Sequence, residues 1–131
     1  MVRNITQRME KKSEVKNLSN FLYEIGTLRR IQRSHRQTLL TNDDTDNIAS
    51  HSFRVAIIGW FLAKLERVDA SKVLFMCLLH DVPETRSGDQ NWVHKKYVKV
   101  FEDEITKDQL KNLPGKNELH RIIREYKKRT C

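Results

Sequence analysis

Residues 73–84 read Val-Leu-Phe-Met-Cys-Leu-Leu-His-Asp-Val-Pro-Glu. Val73 to Leu79 is apolar on every side, which predicts a helix buried all round, and Ser71 is placed to cap its start. The end is abrupt. His80, Asp81 and Glu84 put ionisable groups directly after the apolar body, Pro83 cannot continue a helix, and Arg86-Ser87-Gly88-Asp89 reads as a turn. Simple packing requires none of these charges at the mouth of a buried helix.

One step toward the N-terminus, Val55 to Ala63 is equally apolar and predicts a second central helix. It starts at Asn47 or Ser50, either of which can serve as N-cap, and runs to about Arg67. The expectation is two fully buried helices at the heart of the fold. The short Val68-Asp69-Ala70 connection makes them antiparallel, which places His51, near the start of one, beside His80 and Asp81 at the end of the other.

Further out, Leu18, Phe21, Leu22, Ile25, Leu28 and Ile31 recur at spacings of three and four, predicting a helix from Val15 to about Arg33. Thr41 to Asn47 is a cluster of turn formers and reads as a loop. Beyond the central pair, Val93, Tyr97, Val100, Phe101 and Ile105 keep helical spacing. A Pro114-Gly115 turn precedes a last helix with Leu119, Ile122, Ile123 and Tyr126 on one side. Nothing alternates with period two, so the fold class is all-α, a helical bundle, with residues 1–131 forming one domain.

Composition limits the function classes. With 131 residues, 38% hydrophobic, 32% charged, 4 Gly and 2 Pro, collagen-like and linker-like chains are excluded. The net charge of +8 is uneven: residues 1–40 carry +6, residues 41–90 carry −3 and residues 91–131 carry +5. An acidic centre between basic flanks suits a divalent cation that in turn holds a phosphate better than it suits uniform coating of a nucleic acid. Cys77 and Cys131 give no disulfide framework, which points to a reducing compartment and a cytoplasmic protein. Met1 to Lys16 lacks the apolar core of a secretory signal, and Val55 to Ala63 falls short of the roughly 20 residues that cross a bilayer, so no membrane is expected as a partner.

His51, His80 and Asp81 are the candidate metal ligands. Two imidazoles and a carboxylate suit first-row divalent metals, and three protein ligands leave positions open for water or a substrate oxygen. Glu84 and Asp89 add acid or base capacity within a few residues.

With these residues the chain resembles the HD-domain metal-dependent phosphohydrolases, in particular their 5'-nucleotidase-like branch. The matching segments are Leu28 to Arg33, Asn47 to Ala56, His80 to Glu84 and Ser87 to Asp89, in that order. The resemblance implies an HD-domain bundle and a hydrolase removing phosphate from nucleoside 5'-monophosphates or similar small phosphomonoesters. It implies a divalent metal ion (Mn, Co, Mg, Zn, Ni or Fe) held by His51, His80 and Asp81. Glu84 matches a glutamate that orients or deprotonates the water, Asp89 an acid near the scissile bond, and Arg33 an arginine on the phosphate. The family's fourth ligand, a later aspartate, has no counterpart: Glu102, Asp103, Glu104 and Asp108 come too early. The expectation is a single HD domain lacking the usual C-terminal helices, with the missing helices' apolar seat covered by a second copy in a homodimer. Ser34 stands where the branch often carries an aromatic. His35, His94 and His120 form no definite ligand set, Trp60 is expected in the core, and Trp92 either lines a base pocket or packs in the core or at the surface. The alternative is a catalytically incomplete module that binds nucleotide, RNA or a protein partner.

Overall fold

The computed structural model describes residues 2–40, 43 and 45–128, with side chains from residue 7 onward apart from those of 37 and 38. Thr41, Asn42 and Asp44 of the expected loop, and Cys131, lie outside the described residues. The helices are α1 (Val2–Gly26), α2 (His35–Leu39), α3 (Ile48–Leu65), α4 (Ala70–Leu79), α5 (Glu84–Ser87), α6 (His94–Tyr97), α7 (Glu102–Leu110) and α8 (Lys116–Lys128), with a 3-10 turn at Thr27–Arg30. Among the described residues there is no strand, only an isolated bridge between Gln32 and Asn47. The fold is all-α, as the periodicity requires.

The hydrophobic core gathers Phe21 of α1, Met76 and Leu79 of α4, Val82, Leu110 and Leu113 around α7, and Ile122 and Ile123 of α8. The apolar stripe read on the first helix supplies Leu18, Phe21 and Ile25 to it. That helix does not reach Arg33, however. It ends at Gly26, where Thr27 Oγ1 donates to Glu24 O at 2.7 Å, and after the 3-10 turn the chain is extended at Ile31. Tertiary hydrogen bonds draw it out: Ile48 N donates to Ile31 O at 2.9 Å and Arg33 N to Asp46 O at 3.1 Å. Arg33 is therefore anchored beside the start of α3 rather than at a helix end.

α3 and α4 form the antiparallel pair. Asn47 is the N-cap of α3, accepting from Ser50 N at 3.0 Å. The cap of α4 is Asp69, which accepts from Lys72 N at 3.0 Å, and not Ser71: a carboxylate facing the positive helix N-terminus makes the stronger acceptor. A second correction concerns burial. α3 turns a stripe of small residues, Ser52, Ala56, Gly59 and Ala63, toward its neighbours, and a Cβ on Gly59 would lie 2.7 Å from Cys77 Sγ. Small residues let the two axes come close, so the bulky side chains point outward: Phe53 is 67% exposed and Phe61 60%, with Ile57, Leu62 and Leu65 beside them, and Phe75 and Leu78 of α4 are also partly exposed. The two helices are central but not fully buried.

The apolar stretch is also longer than Val55 to Ala63. Ile48–Leu65 is long and apolar enough, by length and composition alone, to cross a membrane. Here it packs along α4 through the small-residue stripe and carries His51 in its first turn.

The expected helix through Val93 and Ile105 is broken. α6 is one turn, Val98 to Phe101 are not helical, and α7 starts at Glu102. β-branched Val98 and Val100 favour the extended backbone, and three acids, Glu102 to Glu104, restart the helix at its positive end. Arg86 and Ser87, the first half of the expected Arg86–Asp89 turn, instead close the one-turn helix Glu84–Ser87, and α2 is a further short helix.

Candidate metal centre

The ends of α3 and α4 meet as the short connection demands. His51 sits in the first turn of α3, its N–H donating to Asn47 O at 3.0 Å, and His80 is the C-cap of α4. Asp81 follows, with Glu84 N donating to its carbonyl at 3.0 Å, so the chain turns back on itself and keeps Asp81 and Glu84 at one mouth. The ligand atoms of His51, His80 and Asp81 all lie within 4.8 Å of one another. Asp81 Oδ2 is 2.9 Å from His80 Nε2 and 3.6 Å from His51 Nε2.

This geometry fits a cation. Donor atoms at about 2.1 Å from one ion stand roughly 3.0 to 3.4 Å apart for right-angled to tetrahedral ligands, and the two spacings to Asp81 Oδ2, 2.9 and 3.6 Å, fall on either side of that range. Although Asp81 Oδ2 is buried and close to both imidazoles, it accepts no hydrogen bond of acceptable angle, so its lone pairs are uncommitted. His80 Nδ1 lies 2.6 Å from Cys77 O, which assigns the proton to Nδ1 and leaves the Nε2 lone pair free for a cation beside Asp81.

Around this cluster the charges are set by burial first. For His51, desolvation and the Arg33 charge outweigh Asp81 and hold its pKa below the usual value, so the imidazole is neutral and available to a metal at pH 7. Burial also works against protonated His80, but the Asp81 carboxylate and the Cys77 carbonyl prevail and the net shift is upward. Glu84 is pushed up to about 8 by burial and by the neighbouring Asp81 and Asp89 carboxylates. Its Oε2 is buried without a hydrogen-bond partner. Three acids within reach of one another and short of positive charge are what a bound divalent ion would relieve.

Arg33 approaches from the extended segment after α1. Its guanidinium is 3.3 Å from Asp89 Oδ2 and 3.9 Å from Asp81 Oδ2, and its Nε is buried and unpaired. Asp89 Oδ2 also accepts from Ser34 N at 2.7 Å. All six residues singled out in the sequence, Arg33, His51, His80, Asp81, Glu84 and Asp89, thus gather in one region. A cavity of about 420 Å³ opens from His80, Asp81 and Glu84 and extends past Lys95 to Tyr126. Glu102 borders this cavity too, but its carboxylate faces Lys127 Nζ at 3.2 Å. Among the described residues no fourth ligand joins the three.

The other histidines stay outside the cluster: His35 Nε2 is 2.7 Å from Asp46 Oδ2, and neither His94 nor His120 belongs to it. Trp60 is half-buried, edge-on to Phe61 with ring centroids 4.9 Å apart. Trp92 is 61% exposed with Lys96 Nζ 4.9 Å from its ring centre, and it does not line the cavity.

Comparison with known proteins places the chain. Residues 25–131 match the family model described as "HD domain". The chain belongs to the HD-domain family. The HD domain here is 29% identical over 87 residues to a 5'-deoxynucleotidase, YfbR of Escherichia coli O127:H6, covering 62% of this chain and 42% of that protein. A 5'-deoxynucleotidase of Klebsiella pneumoniae (strain 342) is 28% identical over the same length and shares. This chain therefore spans about two fifths of the length of the curated relatives it matches. Among solved structures, a predicted metal-dependent phosphohydrolase from Magnetospirillum magnetotacticum superposes with a TM-score of 0.70 at 30% identity, covering 91% of this chain and 63% of that one. A conserved hypothetical protein from Pyrococcus furiosus gives a TM-score of 0.72 at 28% identity, covering 86% and 68%. Family membership implies a divalent metal, and among the described residues His51, His80 and Asp81 are a group close enough together to hold such an ion.

Proposed function

We propose that this HD domain removes phosphate from nucleoside 5'-monophosphates or similar small phosphomonoesters. The observation that carries the reading is the convergence of Arg33 and Glu84 on a three-ligand cluster in which Asp81 Oδ2 accepts no hydrogen bond. The names of the curated relatives, 5'-deoxynucleotidases, support the substrate class.

His51 Nε2, His80 Nε2 and Asp81 Oδ2 would hold the ion, one of Mn, Co, Mg, Zn, Ni or Fe. When bound, such an ion lowers the pKa of water and neutralises phosphate charge. Everything else falls to the chain. Glu84, ionised once the surrounding negative charge is balanced, accepts the proton of the attacking water at Oε2. Arg33 binds phosphoryl oxygens through the nitrogens that Asp89 leaves free, and Asp89, fixed by Ser34 N, orients it near the scissile bond. Binding energy thus goes to the group that gains charge in the transition state.

We also propose a homodimer, because Phe53, Ile57 and Phe61 of α3 with Phe75 and Leu78 of α4 leave an apolar face open on the single chain, and a cytoplasmic location, because two cysteines make no disulfide framework. One observation favours a second reading, a non-catalytic module that binds nucleotide, RNA or a protein partner: no fourth protein ligand stands with the three among the described residues.

The test is release of inorganic phosphate from a panel of nucleoside monophosphates by metal-stripped protein resupplied with each divalent ion. Metal-dependent turnover lost in Glu84→Gln supports the hydrolase. A folded protein that turns over nothing, yet binds nucleotide without metal and with steep salt dependence, supports the module.

A further inference from the structure

Glu84 lines the same cavity as His80 and Asp81, and its buried Oε2 has no hydrogen-bond partner. Its place is therefore set by the backbone of α5. That helix is four residues long, far too short to hold itself, and its backbone hydrogen bonds are local, such as Thr85 N to Val82 O at 3.2 Å and Gly88 N to Glu84 O at 2.8 Å. Something outside the turn must fix it.

The next two residues show what does. Thr85 Oγ1 lies 2.9 Å from both Glu24 Oε1 and Val82 O, which share its one proton. Arg86 forms a two-pronged pair with the same carboxylate, Nε to Oε1 at 2.6 Å and Nη2 to Oε2 at 2.9 Å. Gln109 of α7, itself 5% exposed, donates to Glu24 Oε1 at 2.7 Å and lies 2.8 Å from Thr85 Oγ1 and 3.3 Å from Val82 O. One carboxylate near the end of α1 thus ties together α1, α5 and α7. These hydrogen bonds, Arg86's above all, outweigh burial and hold Glu24 ionised, with its pKa lowered to about 2.

We propose that Glu24 is a positioning residue, clamping Thr85 and Arg86 from behind so that Glu84, one residue before them, stays aimed at the His51–His80–Asp81 cluster. The role presupposes the phosphohydrolase reading above. Glu24 touches neither the metal ligands nor Arg33; it acts through the turn. Ser34 N does the corresponding work at the other end by holding Asp89, so the acidic segment from Glu84 to Asp89 is pinned at both ends.

The test uses the full chain with Glu24→Gln, Glu24→Ala and the milder Thr85→Val, which deletes one hydroxyl, with its contacts to Glu24, Val82 O and Gln109, and leaves Arg86 on the carboxylate. Lys72→Ala, which breaks the Lys72–Glu125 ion pair between α4 and α8, is the control for generic loss of an interhelical bond. Three quantities are read: Mn²⁺ affinity, amide hydrogen exchange across residues 82–88, and kcat and KM separately. In the Glu24 variants kcat falls about 10- to 100-fold with KM held within about 3-fold, as a misplaced catalytic group demands. Exchange quickens in residues 82–88 alone, and Mn²⁺ affinity stays within about 3-fold because no ligand has moved. Thr85→Val shows a smaller fall in kcat of the same kind, and Lys72→Ala shows none. Glu24 variants with wild-type kcat in an active protein overturn the positioning role, as does a loss of Mn²⁺ affinity and exchange protection throughout the chain, which marks a merely structural bond. Wild-type protein that releases no phosphate with any metal overturns the phosphohydrolase reading itself, and the clamp then has nothing to position.

Discussion

Replacing Glu84 by glutamine should stabilise the metal-free protein at high pH and leave it unchanged in acid. Glu84 is half-buried beside Asp81 and Asp89, and its pKa rises from 4.5 to about 8 on folding. A carboxyl with a raised folded pKa binds its proton more tightly in the native state, so stability falls as pH climbs from 4.5 to about 8 and the cost is complete above that. At about 1.4 kcal/mol per unit the whole shift would approach 5 kcal/mol, and screening by water at a group this exposed reduces it to roughly 2 kcal/mol. For a chain of this size that is a rise in Tm of about 6 °C. Urea or thermal unfolding in the presence of a chelator, at pH 5 and at pH 8.5, measures it. Any fixed effect of burying the new amide appears at both pH values, so the difference between them isolates the charge. Saturating Mn²⁺ shrinks the gain, because a cation beside Asp81 relieves the same repulsion. A Glu84→Gln effect of equal size at both pH values refutes the claim that Glu84 is crowded by uncompensated negative charge.

Gly59→Ala should destabilise the chain by about 1 to 3 kcal/mol, because the new Cβ would sit 2.7 Å from Cys77 Sγ where α3 crosses α4; denaturant titration reads it, and the double variant with Cys77→Ala should recover part of the loss. Arg33→Ala should raise KM for a phosphomonoester about 10-fold or more while Mn²⁺ affinity holds, in a steady-state assay beside a metal titration. If a second copy covers the open face of α3, light scattering should give twice 15.6 kDa, and Phe61→Glu, whose side chain is 60% exposed in the single chain, should return it to the single mass without unfolding it.

The sequence disclosed the features that depend on local pattern. Apolar runs in α3 and α4, a short link between them and His-Asp at the end of the second were enough to bring His51, His80 and Asp81 together. What it could not disclose are choices made across long separations. Arg33 is lifted off the first helix by two backbone bonds, Ile48 N to Ile31 O and Arg33 N to Asp46 O, and no periodicity signals either of them. The apolar composition of α3 implied burial on all sides, whereas the spacing of Ser52, Ala56, Gly59 and Ala63 decides which side faces α4. Glu24 gave no signal at all: its partners lie 61, 62 and 85 residues away, and in the sequence it is one more charge in a helix. Ser34 matters through its backbone N–H, to which side-chain identity is silent.

The central claim is that three side chains from two helix ends make one cation site, and calorimetric titration of Mn²⁺ into metal-stripped protein tests it most directly. One ion bound per chain, with affinity falling at least about 10-fold in each of His51→Ala, His80→Ala and Asp81→Ala while the fold persists, is the result this structure predicts. Binding that survives all three substitutions, or no binding by the intact wild-type chain, would contradict it.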